Sequence, residues 1–75
     1  MRINILKYIA DTDYLRQKAT DFGEKESVLP YLIMSNHTLD LIKDKVDVFS
    51  DRQMLFQENT ILINDMLPMG DIDIR

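Results

Sequence analysis

The sequence contains no cysteine, only two glycines and two prolines, and fewer basic than acidic residues, nine against thirteen. Without cysteine there is neither a disulfide nor a thiolate metal site to stiffen a small fold. Two glycines cannot build a phosphate-cradling loop. No apolar run approaches the roughly 18 residues of a membrane span, and the N-terminus lacks a signal-peptide core. The expectation is therefore a soluble chain, cytoplasmic in its host cell or carried in a particle. A net charge of −4 disfavours direct nucleic-acid binding, which needs a basic patch. The single histidine, His37, falls at the predicted start of a helix with no nucleophile elbow around it, so an exposed or structural role is expected. Asp65, Asp71 and Asp73 lack the ligand spacing and central glycine of a calcium loop. No catalytic residue, metal or cofactor is expected.

What is present is a 75-residue chain that is 45% hydrophobic, too apolar for disorder. It has the size of one domain near the lower limit of independent stability. Such a chain buries only about 60% of its unfolded surface, and oligomerisation is a common remedy.

The last third, Gln53 to Arg75, organises the rest. Met54–Phe56 and Thr60–Ile63 flank a short polar interval, and Asn59 tolerates a left-handed turn, so a hairpin is predicted. Pro68 and Gly70 stop the second strand. Asp71-Ile72-Asp73-Ile74-Arg75 alternates with a period of two, which aims Ile72 and Ile74 at a core and the aspartates at water or a partner. This last run is predicted as an edge strand.

Upstream, Ile5, Ile9, Thr12, Leu15, Ala19 and Phe22 share one face of a helix over residues 3–22, with Asn4 as cap and Gly23 just past its end. A second parse makes Met1–Tyr8 a strand, with Asp11 or Thr12 capping a shorter helix. Tyr31–Met34, opened by Pro30, suits a central strand buried on both sides. Ser35 or Asn36 caps a second helix that carries Leu39, Ile42, Val46 and Phe49, and Ser50, Asp51 and Arg52 end it. The predicted fold is a single α+β domain over residues 1–75, with two helices on a small, mostly antiparallel sheet that has a C-terminal hairpin and an edge strand. Its expected core is Ile9, Leu15, Ile33, Leu39, Ile42, Phe56, Ile61, Ile63 and Ile72. The edge strand and the thin core together predict a homodimer.

Acidic residues gather after Arg52: Glu58, Asp65, Asp71 and Asp73 against Arg75. A solvated face is the simple reading; a surface for a basic partner is the sharper one. Met66 and Met69, set around Pro68, are hard to bury and extend such a surface. The expected partner-binding residues are therefore Glu58, Asp65, Met66, Met69, Asp71 and Asp73. Gln53-Met54-Leu55-Phe56 is similar to peptides that dock on bacterial sliding clamps but is one residue short, and its apolar residues serve equally as strand core.

Tyr-Leu-Ile-Met-Ser-Asn-His-Thr-Leu (31–39), followed by Ile-Leu-Ile-Asn-Asp-Met-Leu-Pro-Met-Gly-Asp-Ile-Asp-Ile (61–74), resembles small proteins encoded by tailed phages and prophages. In those a strand runs into a capped helix, and a later strand is followed by Leu-Pro-x-Gly and a final strand. A looser similarity extends to part of phage major capsid proteins. The resemblance covers residues 30–75, and the N-terminal helix has no counterpart in it. It implies either a small early protein that binds and blocks a host protein, such as the nucleic-acid-facing surface of a replication clamp, or a virion structural or head-assembly subunit. Neither class requires catalytic residues.

Overall fold

The computed structural model describes residues 1–11, 13–50 and 53–75, and only the backbone of Val48 and Phe49. Six strands and two α-helices alternate as β1 (Arg2–Asn4), α1 (Asp13–Glu26), β2 (Leu32–Met34), α2 (Asn36–Ile42), β3 (Val48–Phe49), β4 (Met54–Phe56), β5 (Asn59–Ile63) and β6 (Asp71–Ile74). The sheet order is β1-β6-β2-β5-β4-β3. Only β2 and β5 run parallel; every other neighbouring pair is antiparallel. The fold is α+β, with two helices and a mostly antiparallel sheet, as the sequence predicts.

Register and pleat divide the sheet into two faces. Ile3, Leu32, Met34, Ile61, Ile72 and Ile74 point to one side and are buried against Leu15 and Ala19 of α1 and Leu39 and Ile42 of α2. The opposite face carries Arg2, Asp73, Ile33, Leu62, Thr60 and Leu55, and no helix covers it. Two apolar strand faces but only one helical layer leave half of the sheet in contact with water.

Several expectations are corrected. Residues 3–22 do not form one helix. Residues 2–4 pair with β6, a 3-10 turn covers Leu6–Tyr8, and α1 begins only at Asp13. The helical spacing of Ile5 and Ile9 loses to the backbone ladder that a strand at the sheet margin gains. Asp11 accepts the Asp13 N–H at 3.0 Å, which fits the second parse; Thr12, like Asp51 and Arg52, lies outside the described residues. The helix runs past Gly23 and ends at Glu26. Ser27 takes the left-handed position at φ 57°, and the Val28 N–H donates to Gly23 O at 3.1 Å, a Schellman closure. Gly23 serves closeness instead: a Cβ there would stand 2.9 Å from Val28 O.

The second helix is short. Ser35 caps it by accepting the Thr38 N–H at 3.1 Å, but a 3-10 turn (Lys43–Lys45) and extended Val46 follow, and Val48–Phe49 form β3. β-Branched Val46 and Val48 favour the extended course over another helical turn. The hairpin β4–β5 is present, but its turn is Gln57-Glu58, at φ 51° and 71°, and Asn59 is a buried strand residue opposite Phe56. Asp47 holds this unusual turn by accepting the Gln57 N–H at 2.6 Å.

β6 is not an edge strand. It lies between β1 and β2, pairing Ile72 with Ile3 and Met34, so the edges are β1 and β3. The argument for a dimer through residues 71–75 falls with that placement. β2 is central but buried fully on one face only, with Ile33 part-exposed. Of the expected core, Ile9 and Ile33 are only partly buried, and Ile63, the last residue of β5, is 37% exposed.

Candidate interaction surfaces

The loop Asn64–Gly70 leaves the carboxyl end of β5 beside the N-terminus of α2 and returns as β6. Its backbone is tied at both ends. Asn64 N–H donates to Met34 O at 2.8 Å, and the Asn64 side chain accepts the Met66 N–H at 3.0 Å, an Asx turn. Leu67 N–H returns to Asn64 O at 3.1 Å, and Asp71 N–H to Pro68 O at 3.1 Å. Gly70 N–H donates to the buried Thr38 Oγ1 at 2.8 Å, and Gly70 O accepts the Ile5 N–H at 2.9 Å. Thr38 Oγ1 also lies 3.1 Å from Ser35 Oγ, so the helix cap and the loop share one network. Gly70 sits at φ 86°, where a Cβ would stand 2.5 Å from Leu6 Cγ.

On this tied backbone Met66 is 90% exposed. Met69, next to Gly70 in the chain, and Leu6, which packs over Gly70, are both about half exposed. The tied backbone thus holds apolar residues out in water.

Each nearby aspartate already has a partner. Asp65 Oδ1 accepts the Asn36 N–H at 2.8 Å, one of the orphan donors of α2, and Asn36 Nδ2 approaches both of its oxygens. The Asn36 backbone N–H, then its side-chain amide, with a smaller contribution from His37, hold the Asp65 carboxyl below the usual aspartate value. Asp71 is lowered first by Asn4 Nδ2 at 2.7 Å and then by Arg2, whose guanidinium lies 3.0 Å away. Asp73 pairs with Arg75 at 2.7 Å on the open face of the sheet. No family, curated protein or solved structure matches this chain.

The predicted site residues thus separate. Asp65, Met66 and Met69 lie in the Asn64–Gly70 loop, and Asp71 opens β6 directly after it. Asp73, two residues on, shares the open face of the sheet with Asp71, and Glu58 sits in the hairpin turn at the opposite end of β5. The loop corner presents apolar surface edged by ionised carboxylates that are already hydrogen-bonded, Asp65 to Asn36 and Asp71 to Asn4 and Arg2. Leu6, Arg2 and Asn4 belong to it and were absent from the sequence reading. Their partners lie 64 or more residues away, so no local signal marks them. His37 is exposed in the first turn of α2, and no three histidine or carboxylate side chains converge on a metal-sized site among the described residues. No described helix is long and apolar enough to cross a membrane.

Proposed function

We propose that the protein is a non-enzymatic interaction module that occupies a partner protein's surface with the corner formed by Leu6, Met66 and Met69. The observation that carries this reading is Met66, 90% exposed on a loop tied by Asn64, Asp65 and Gly70. The tied loop backbone loses little freedom on binding, and burying a methionine contributes about 1.5–3 kcal/mol before the loss of its rotamer freedom. The resemblance of residues 30–75 to small tailed-phage proteins supports a bacterial host protein as the partner, blocked by occupancy of its surface.

The test is affinity capture from bacterial lysate followed by titration of the recovered partner. Met66→Ser is expected to weaken binding about 10- to 100-fold, the equivalent of the buried side chain, while its melting temperature stays at the wild-type value. Equal affinity for wild type and Met66→Ser removes the corner from the interface.

A second reading, a head-assembly subunit, is favoured by the uncovered sheet face, where Ile33 and Leu62 lie side by side between β4 and β6. Recovery of phage particle proteins alone, with binding lost in Leu62→Ser, supports it instead.

A further inference from the structure

At the end of the sheet opposite the Met66 corner, a cavity of about 260 Å³ opens between α1, the connection into β2 and the β4–β5 turn. At about 30 Å³ per water, it has room for some eight waters, or for one long side chain. Gly23 shapes it: lacking a Cβ, it lets Val28–Pro30 close against the last turns of α1.

Four polar side chains line this cavity, Thr20, Glu24, Gln57 and Asn59. Asn59 is 7% exposed and faces α1 from β5, and its carboxamide has no hydrogen-bond partner among the described residues. No fully buried side-chain nitrogen or oxygen among the described residues lacks a partner, so the Asn59 carboxamide is wetted by the open cavity and is free to bond a ligand there. Glu24 stands on α1 at the same cavity, and its carboxylate has no cationic partner among the described residues. Among the described residues, no lysine or arginine lines the cavity. Ala19, Val28, Leu29 and Pro30 supply the apolar part of the wall, beside Thr20 and Gln57, and Leu29 is 71% exposed.

We infer that this cavity is a binding site for an arginine side chain of a basic partner. The guanidinium carries several donors and no acceptor, which suits an unused amide oxygen at Asn59 and an unpaired carboxylate at Glu24. Its methylene stem matches the apolar walls. The chain's net charge of −4 draws such a partner in. A neutral amide would satisfy Asn59 alone and leave Glu24 unpaired.

The probe is N-acetyl-arginine amide, titrated into the intact protein and followed by ¹H–¹⁵N NMR. The side-chain Nδ2 signals of Asn59 are expected to move and saturate with a Kd on the order of 1 mM. The citrulline analogue, isosteric but uncharged, should bind at least about 10-fold more weakly. Glu24→Gln, at an exposed helical position, should weaken the arginine probe about 5- to 10-fold and leave the citrulline analogue unchanged. Asn59→Ala should weaken both. Met66→Ser, at the far end of the sheet, should bind the probe as wild type does, so this site and the Met66 corner fail independently. Absence of saturable movement at Asn59, or equal binding of the arginine and citrulline compounds, overturns the assignment.

Discussion

Replacing Gly70 with alanine tests the tie between loop and strand most directly. Two penalties arise at one atom. The left-handed backbone at φ 86° costs an L-residue about 1–2 kcal/mol. The new Cβ would also stand 2.5 Å from Leu6 Cγ and 3.1 Å from Asn4 Nδ2, so the 3-10 turn that carries Leu6 must move, at about 1–3 kcal/mol. The sum of about 2–5 kcal/mol is a large share of the roughly 4–11 kcal/mol available to 75 residues. Urea unfolding followed by circular dichroism measures it in Gly70→Ala, Leu6→Ala and the double variant. Because Leu6 is the obstacle, its truncation should return the steric part, and the cycle should show a favourable coupling of about 1–2 kcal/mol. The backbone part should persist in the double variant. The reasoning fails if Gly70→Ala unfolds within about 0.5 kcal/mol of wild type, or if its cost is undiminished when Leu6 is alanine.

Two further outcomes are expected. Ile72→Asp places an unpaired charge at a fully buried position and should leave no cooperative melt, whereas Ile63→Asp, at a position 37% exposed, should cost about 1 kcal/mol; parallel thermal melts decide this, and equal losses would contradict the exposure of Ile63 at the end of β5. Asp65 and Asp71 both have native pKa values below the unfolded value, so the stability they contribute is complete above about pH 4 and is lost as the pH falls through the depressed native values. The gap in stability between wild type and Asp65→Asn/Asp71→Asn should therefore be widest near neutrality and narrow on acidification; a constant gap down to about pH 2 would show that the two carboxylates are not linked to folding.

The sequence exposed those parts of the fold that local pattern controls. The alternation of residues 71–75, the continuous run at Leu32–Met34, and Ser35 ahead of a helical face each follow from period and capping chemistry. Three parts were hidden or left open for separate reasons. β1 spans three residues, too few to decide between the helical and the strand parse of the N-terminal stretch, and exists only because β6 supplies its ladder. The turn Gln57-Glu58 carries neither glycine nor asparagine, so the search for turn chemistry settled on Asn59 one residue late. The corner and the cavity both join residues distant in the chain, Leu6 with Gly70 and Gly23 with Asn59, and composition is silent about such meetings. The exposed methionines were legible because Pro68 forbids a strand around them. The partnering of Asp65, Asp71 and Asp73 was not, since two of those partners lie elsewhere in the sequence.

The position of β6 between β1 and β2 also sets the sequence of events by which the molecule can assemble. Every ladder that holds β1 or β2 recruits residues beyond position 58, and β1 has no neighbour but β6. A chain emerging from the ribosome, N-terminus first, can wind α1 and α2 early, yet Ile3 and Ile5 stay uncovered until the stretch from Asp71 to Ile74 arrives and slides between two waiting strands. Met1 is secured by two hydrogen bonds to Ile74. Synthesis and assembly thus run in opposite directions, and the earliest-made strand is left to be clasped by the latest.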